Sequence, residues 1–535
     1  MIGCRGIAVA LAAGALVAGC DPRDEEFAKK RAEMLNRDRT IVYNTDGCDM
    51  LYYPNDRPIT VEGFTGVRLT HALGTKIPTI SYCPLSSAFA YFTLFRAGDP
   101  LTDTWDDNPR AHNGAKEFWE KLHTDCLEMA MDFCRTNGFE RFMSIRMNDT
   151  HDSGHCPEHP FFLFSTFKKN HPECLMEPTK PSRGGPKRWG SRTAVDYGHP
   201  LVRDTVRKFV RDFCDNYDIE GIELDFCRHL LYFKSVYEGG VATEKNLADM
   251  NELMRDIRMI AEIAGRQKGH PILVTARVPD SVGYARAVGL DIETWLREKS
   301  VDALICSCYF QLNPWKVMAD LCHAHGAKMY ASLDESRIRE NKKDPGIIPG
   351  RQSLKWYHGR YAAAMASGAD GVYLFNLEHK SLHEYTQVDP RETDGLDKIY
   401  FATDRGSGGY RVWHYMKDWE PYVNMPRLEP GDTQRIEPGR SYAFDIMIGD
   451  DFAKAAAKGR KPTVEVLALT NLAENKGFEV RLAENRLNLP EFKDGLVSGE
   501  IPAAAIVRGP NRFEIVNTGA KPVVAKDFAV RITYR

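Results

Sequence analysis

Two carboxylates lie on one side of a predicted β-strand near the middle of the chain. In G-I-E-L-D-F-C-R-H, residues 221–229, isoleucine, leucine and phenylalanine alternate with Glu223 and Asp225. Successive side chains of a strand point to opposite faces, so Glu223 and Asp225 share one face. Buried carboxylates destabilise a fold unless they are paired or used. The strand therefore predicts an acidic site, either functional or ion-paired.

Paired carboxylates at a cleft are the groups that cleavage of a glycosidic bond requires. One protonates the leaving oxygen, and the other attacks or stabilises the oxocarbenium-like carbon or activates water. Glu223 and Asp225 are about 6.6 Å apart along one strand, so they cannot flank a bond by themselves. We predict Asp225 as the nucleophile or charge stabiliser, with Glu223 holding or tuning it. Glu335 is the predicted acid from the opposite wall, with Glu378 in reserve.

The elements that position these residues alternate between short β-branched runs and longer amphipathic stretches. Helical spacing is clearest from Val202 to Tyr217. The β-branched runs predict strands at 40–46, 79–83, 141–148, 219–226, 272–278, 302–309, 328–334 and 371–376. Strands in this number, each followed by a helix, predict a (β/α)8 TIM barrel, an α/β fold. A doubly wound open sheet is the main alternative, but the glycine-rich turn expected after its first strand is absent.

Active sites of this barrel lie at the carboxyl ends of its strands, where the sequence places many polar residues. Asn44, Asp149 and Asp334 are among them. We predict that the following contact the substrate: Arg146, Asn148, His151, Arg228, His229, Arg277, Tyr309, Asn376 and Glu378.

Basic residues near Asp225 leave a second interpretation open. Asp225 could form an ion pair with Arg146 or Arg277 that only fills the barrel interior. The two arginines would otherwise keep nearby acids ionised or bind an anionic group of the substrate. Glu335 lies in D-E-S-R, which is also consistent with a solvated loop.

A long insertion, residues 149–200, separates the third and fourth predicted strands. It contains K-P-S-R-G-G-P-K-R-W-G-S-R, in which five basic residues surround Trp189. An aromatic ring among cations predicts a platform for acidic or sulfated sugars, and a solvated charge run is the alternative. H-D-S-G-H-C-P-E-H (151–159) matches no zinc spacing, so we predict neither a metal nor another cofactor.

The rest of the 535-residue chain indicates further domains. Short strands separated by turn signals such as N-T-G are typical of an antiparallel β-sandwich. The predicted units are a signal peptide (1–20), a linker or helix (21–39), the catalytic barrel (40–385), an aromatic-rich connection packed on the barrel (386–425) and the sandwich (426–535).

The N-terminus resembles a bacterial lipoprotein signal. Arg5 precedes an apolar run, and L-V-A-G-C ends at Cys20. We predict lipidation of Cys20 and a membrane-anchored place in the cell envelope, periplasmic or at the surface. A cleaved secretion signal or a short membrane anchor is the alternative, although the run is shorter than the roughly 20 residues of a membrane span. The net charge of −3 argues against a nucleic-acid partner.

The chain has 13 cysteines. Cys156 and Cys174 flank one loop and are the predicted disulfide. Other cysteines lie in apolar strand or helix patterns and are expected to be small buried side chains: Cys134, Cys214, Cys306, Cys308 and Cys322.

One segment resembles the central signature of the family-10-like glycosyl hydrolases. Residues 196–226 read D-Y-G-H-P-L-V-R-D-T-V-R-K-F-V-R-D-F-C-D-N-Y-D-I-E-G-I-E-L-D-F, and R-M-N-D-T-H-D (146–152) resembles the third-strand motif of some bacterial members. The resemblance implies a (β/α)8 barrel, carbohydrate substrates, secretion or lipidation, and a functional acid at Asp225. Phe226 stands where many members have a second aspartate, and Cys227 stands where a chitinase-type D-x-D-x-E strand has its acid.

Three hypotheses follow for the function. The first is a cell-envelope glycosidase that hydrolyses O-glycosidic bonds of a polysaccharide, with an anionic one indicated by the basic insertion. The second is a non-catalytic carbohydrate-binding lipoprotein on the same barrel. The third is different chemistry, such as a lyase, because a fold does not fix a function.

Overall fold

The computed structural model describes residues 22–45, 53–87, 89–91, 114–156, 158, 161, 163–178, 191–334, 347–375, 377, 379–403 and 416–535. Its strands are β1 (Ile41–Asn44), β2 (Thr79–Tyr82), β3 (Leu85–Ser87), β4 (Ala90–Tyr91), β5 (Glu140–Arg146), β6 (Gly221–Asp225), β7 (Leu273–Val278), β8 (Ala303–Cys306), β9 (Lys328–Ser332), β10 (Gly371–Phe375), β11 (Lys398–Phe401), β12 (Gln434–Ile436), β13 (Ser441–Ile448), β14 (Pro462–Thr470), β15 (Phe478–Leu482), β16 (Asn485–Arg486), β17 (Glu491–Lys493), β18 (Leu496–Ile501), β19 (Gly509–Asn517) and β20 (Val523–Tyr534).

The described helices are α1 (Pro22–Leu35), α2 (Val61–Thr65), α3 (Gly114–Leu122), α4 (Cys126–Asn137), α5 (Thr166–Asn170), α6 (Pro200–Asn216), α7 (Lys234–Tyr237), α8 (Glu244–Lys268), α9 (Val282–Val288), α10 (Ile292–Arg297), α11 (Trp315–Ala324), α12 (Leu354–Ala366), α13 (His379–Tyr385) and α14 (Phe452–Ala457). Short 3-10 turns lie at Leu69–Ala72, Pro172–Cys174, Pro390–Glu392, Glu420–Tyr422 and Ala503–Ala505. Within the described parts of the chain, no helix has both the length and the apolar character needed to cross a membrane.

Parallel strands close a barrel in the order β1-β10-β9-β8-β7-β6-β5-β2. Each of these strands overlaps one of the predicted strand segments, so the predicted (β/α)8 barrel is confirmed. Helix α6 shows why the apolar spacing predicted a helix. The apolar residues at that spacing form the face that the helix buries. Val202, Val206, Phe209, Val210 and Phe213 are all buried along it. The barrel strands are buried on both faces, as all-parallel sheets are.

The C-terminal region is an antiparallel β-sandwich, also as predicted. One sheet has the strand order β11-β20-β14-β18-β17 with β12 on β20, and the other has the order β13-β19-β15-β16. Phe444 and Phe513 each lie 5.0 Å from Phe528, centroid to centroid, and join the two sheets. Strand β11 comes from the segment predicted as the connection, so this part of the segment belongs to the sandwich.

Helix α1 lies across the amino-terminal end of the barrel. Met34 forms a small buried cluster with Phe142 and Leu273, at the starts of β5 and β7. Arg31 holds Asp302 at 2.7 Å, just before β8. Polar contacts and burial thus fix α1 against the end of the barrel that lies farthest from the predicted site.

The barrel and the sandwich pack closely at α12. A side chain at Gly359 would place Cβ 2.5 Å from the carbonyl oxygen of Ile399, and Gly449 lies equally tightly against Ala362. Real Cβ atoms do not approach backbone oxygens so closely, so both positions require glycine. The glycines therefore let the sandwich lie directly on the barrel.

A buried acidic cluster lies at this junction. Arg351 binds Asp527 with 2.6 and 2.9 Å contacts, and Arg427 binds Asp432 at 3.0 Å. Glu429 is buried beside them and has no charged partner of its own among the described ion pairs. Burial, followed by repulsion from Asp432, raises the pKa of Glu429 to about 8, with Arg351 and Arg427 opposing and Asp527 adding to the shift.

This pKa predicts a loss of stability at alkaline pH. The unfolded carboxyl ionises near its ordinary value of 4.5, whereas the folded one stays protonated until about pH 8. The folded state therefore binds the extra proton, and stability falls as pH rises between these values. Between pH 5 and pH 9 we expect wild type to lose on the order of 3 kcal/mol more than Glu429→Gln. Chemical unfolding at several pH values measures this, and equal pH slopes for the two proteins would contradict it.

Candidate functional site

The strand register stacks the predicted site residues in two layers inside the barrel. Ser144, Glu223 and Thr275 are aligned across β5, β6 and β7. Arg146, Asp225 and Arg277 are aligned two residues further on, nearer the carboxyl ends. Residues aligned on parallel strands point the same way, so each layer gathers polar groups on the barrel interior.

The deeper layer is centred on Glu223, which is fully buried. Its Oε1 accepts hydrogen bonds from Asn44 at 3.0 Å, the Ser144 hydroxyl at 2.9 Å and the Tyr373 hydroxyl at 2.7 Å. Burial and the neighbouring Asp225 raise the pKa of Glu223. Glu223 therefore joins strands β1, β5 and β10 to β6, directly below the layer that contains Asp225.

The upper layer contains two carboxylates on one guanidinium. Nη1 of Arg277 lies 3.2 Å from Asp225 Oδ1, and Nη2 donates to Asp334 Oδ2. Asp225 also accepts the Cys227 amide at 2.9 Å, and Ser332 donates to Asp334 at 2.6 Å. Asp225 thus pairs with Arg277, one of its two predicted partners. Asp225 and Asp334 are each 1% exposed.

Aromatic rings surround the shared guanidinium. The Arg277 carbon Cζ lies 4.5 Å from the Phe375 ring centroid, 5.4 Å from Tyr373 and 5.6 Å from Tyr309. Burial lowers the pKa of Arg277, but Asp334 and Asp225 outweigh that effect and hold the pKa well above its ordinary value. The arginine is therefore a fixed positive charge in a low-dielectric environment.

A chain of polar contacts closes the top of the site. Arg146 binds Asp149 Oδ2 at 2.8 Å, and Asp149 Oδ1 lies 2.5 Å from His151 Nδ1. His151 Nε2 is 2.9 Å from Arg228 Nη2, and Arg228 Nη1 donates to the Tyr309 hydroxyl. The two ring nitrogens of His151 thus connect Asp149 to Arg228. Among the described residues, Arg146 therefore contacts Asp149, three residues further along the chain.

Among these polar contacts, the histidines are the residues that reach solvent. The side chain of His151 is 40% exposed and that of His229 is 21% exposed, whereas Arg228 is 8% exposed. Burial holds the pKa of His229 well below its ordinary value, against the opposing effect of Asp149. Burial would raise the pKa of Asp149, but His151 and Arg146 hold it well below its usual range.

Asp149, His151 and His229 bring potential metal ligands within 4.8 Å of one another. The contacts already made oppose a cation there. Arg146 and Arg228 add two positive charges to the cluster, and the Thr150 amide donates to His229 Nδ1 at 3.3 Å. The cluster is better described as a hydrogen-bonded chain than as a metal centre.

Asn148 was predicted to contact the substrate, but its side chain is bonded to backbone groups instead. It is fully buried, and its amide group bonds to Val195 and Leu231. It therefore joins two loops, a role that its position next to the predicted strand end could not reveal.

The disulfide prediction was wrong. Cys156 and Cys174 are free and buried, whereas Cys227 and Cys308 form the bond, with a Cα to Cα distance of 5.3 Å. The sequence pattern extended the sixth barrel strand to residue 309, but β8 ends at Cys306. Ser307 turns the chain with a φ of 84°, so Cys308 leaves the strand and meets Cys227.

Several predicted residues lie outside the described parts of the chain: Cys20, Trp189, Glu335, Asn376 and Glu378. Arg192, from the basic insertion, is described and is 2% exposed. This cation therefore lies in the interior and is not part of a solvated charge run.

Sequence reasoning assigned no role to three residues that complete the site. Asp149 and Asp334 were visible as polar residues at strand ends, the same signal that identified Asp225. Tyr373 had no such signal, because an aromatic residue inside a barrel strand usually fills the core. It binds Glu223 from β10 and stacks against Arg277.

The fold and site define a (β/α)8 barrel with a charged cluster at its carboxyl end and a C-terminal β-sandwich. No family model and no curated protein matches the sequence. A maltogenic α-amylase from Thermotoga neapolitana is structurally similar with a TM-score of 0.36 and 13% identity, over 90% of this chain and 99% of the amylase. A cycloisomaltooligosaccharide glucanotransferase from Paenibacillus has a TM-score of 0.34 and 9% identity, over 92% of this chain and 57% of its own. An α-galactosidase from Geobacillus stearothermophilus has a TM-score of 0.37 and 11% identity, over 90% of this chain and 56% of its own.

Proposed function

We propose that the protein is a glycosidase that hydrolyses O-glycosidic bonds of a polysaccharide at the carboxyl end of the barrel. The observation that supports this most directly is the pair Asp225 and Asp334, bound to opposite nitrogens of Arg277. Two carboxylates near one point are the minimum for acid and nucleophile or base roles. Asp225 is the central carboxylate of the proposal.

The remaining roles follow from position. Glu335 directly follows Asp334 in the sequence and remains the proposed proton donor to the leaving oxygen. Arg277 compensates the charge of both aspartates before substrate binds. Its fixed position offers preorganised electrostatics, the term that usually contributes most to catalysis.

A second function, carbohydrate binding without cleavage, is favoured by one observation. Asp225 is 1% exposed and both its oxygens face Arg277. A carboxylate held in this way compensates a buried charge and need not react. Under this alternative, the partly exposed His151 and His229 would contact glycan together with Arg228 beside them, and the layer below would only support them.

A glycan panel separates the two functions. Purified protein is incubated with neutral, uronic and sulfated polysaccharides, and both new reducing ends and binding heats are measured. Products heavier by one water per cleavage support the glycosidase, and unsaturated products would indicate a lyase. Binding without products supports the second function, and neither binding nor products contradicts both.

We also propose an anionic polysaccharide as the substrate. Arg228 is 8% exposed, and its guanidinium lies between Tyr309 and the partly exposed His151. Guanidinium groups bind carboxylates and sulfates well because their donors form a planar fork. Faster cleavage of uronic or sulfated glycans than of neutral ones is the expected result in the panel.

The proposed location is the cell envelope, through a lipid on Cys20. The sequence L-V-A-G-C supports it, and the Cys227–Cys308 disulfide suits an oxidising compartment. We expect Cys20→Ser to move the protein from the membrane fraction to the soluble fraction of the producing bacterium and to abolish incorporation of labelled fatty acid. Cys4→Ser is the matched control and should change neither. Membrane retention of the Cys20 variant would contradict lipid anchoring at this residue.

A further inference from the structure

The disulfide and a polar contact form consecutive links between the same two loops. Cys227 lies two residues beyond the end of β6, and Cys308 lies two residues beyond the end of β8. The next residue on each side is Arg228 and Tyr309, and the arginine donates to the tyrosine hydroxyl. One covalent bond and one hydrogen bond therefore hold these loops together over the end of β7.

The backbone next to these two links is hydrogen-bonded to β7. The Phe226 amide donates to the carbonyl of Arg277 at 3.1 Å, and the Ser307 amide donates to that of Val278 at 3.2 Å. Both loops therefore start from fixed points on the same strand. The disulfide then fixes the distance between them where the last backbone bonds end.

The disulfide matters because it bears on the position of the Arg228 side chain. Its side chain is long and flexible, and ordering such a chain costs conformational entropy. The guanidinium lies 5.8 Å from the Tyr309 ring and 5.6 Å from the Phe375 ring, a position that depends on where residue 309 stands. If the loop of Tyr309 moves, Arg228 loses both a hydrogen bond and a ring contact.

We propose that the Cys227–Cys308 disulfide is a positioning device, which holds Arg228 in place to bind the acidic groups of the glycan. This inference rests on the proposed function for its ligand, but the positioning itself does not. Reduction by a dithiol would break the sulfur–sulfur bond, transfer two electrons and two protons to the two cysteine thiols, and leave the reductant as a disulfide. Glycan recognition should then weaken, and reoxidation should restore it.

The enzymatic test is a double-mutant cycle on KM and kcat for an acidic glycan. Cys227→Ser with Cys308→Ser should raise KM about tenfold and change kcat less than about threefold, because ground-state recognition is lost while Asp225 stays in place. Arg228→Ala should do the same. All three changes together should be no worse than Arg228→Ala alone, since effects through one group are not additive. Additive losses would overturn the proposal.

Two controls keep the test informative. Cys156→Ala with Cys174→Ala removes two free buried cysteines elsewhere and should leave KM unchanged. Dithiol treatment should raise the KM of wild type reversibly and have no effect on the Cys227, Cys308 double variant. If dithiol weakens both proteins equally, the effect does not come from this disulfide and the proposal fails.

A structural readout separates this inference from the proposed function. Thiol alkylation followed by mass spectrometry should show Cys227 and Cys308 joined in the secreted wild-type protein. A crystal structure of the double serine variant should show Arg228 displaced from Tyr309, whether or not any glycan is cleaved. An unmoved arginine, or two free thiols in the wild type, would overturn the positioning role.

Discussion

Asp225→Asn is expected to lower kcat on the cleaved glycan by on the order of 10³-fold or more, with little change in KM. The asparagine keeps nearly the same shape and can still accept the Cys227 amide, but it lacks the negative charge that the developing positive carbon requires. Steady-state kinetics on the substrate found in the glycan panel measure the effect.

The fold of this variant should survive, because Arg277 keeps its contact with Asp334. Asp445→Asn, a change at an exposed carboxylate of the sandwich, is the matched control and should leave kcat unaltered. A normal kcat in Asp225→Asn would exclude Asp225 from the chemistry and favour the binding function. Lost activity together with a lost folding transition would instead show a structural role for Asp225.

Arg277→Met is expected to destabilise the protein by about 3–5 kcal/mol, the usual cost of leaving buried charges without their partner. Both Asp225 and Asp334 lose the guanidinium that compensates them, and each is 1% exposed. Equilibrium unfolding in denaturant at pH 7 measures the loss. The effect should shrink at low pH, where the stranded carboxylates become protonated.

Removing all three charges gives the matched comparison. Arg277→Met combined with Asp225→Asn and Asp334→Asn should recover most of the lost stability, because the two aspartates that faced Arg277 no longer carry a charge. A triple variant as unstable as the single one would show that Arg277 acts through its packing against Tyr309, Tyr373 and Phe375 instead.

The barrel was predictable because most of its strands are short apolar runs rich in β-branched residues and helices such as α6 have a regular apolar spacing. The side of β6 that carries Glu223 and Asp225 followed from alternation alone. The alternation of side chains along a strand does not determine which neighbouring arginine pairs with Asp225. Arg146 and Arg277 are both aligned with Asp225, so the sequence allowed either as its partner.

In the structure, Arg146 meets a carboxylate that lies beyond the end of its own strand. Asp149 lies three residues after Arg146 and accepts its guanidinium at 2.8 Å, whereas Arg277 lies 3.2 Å from Asp225. That contact depends on how the chain turns after β5, and no pattern of periodicity encodes the turn. The disulfide was missed for the same reason, because the turn at Ser307 decides where Cys308 goes.

The position of α1 bears on which end of the barrel would face away from a membrane anchor. This helix covers the amino-terminal end of the barrel, and Cys20, the proposed site of the lipid, lies two residues before it in the sequence. A tether attached there would point the opposite end, with His151 and Arg228, outward into the surrounding medium. The proposed polysaccharide substrate would then approach His151 from the side that faces away from the proposed lipid anchor.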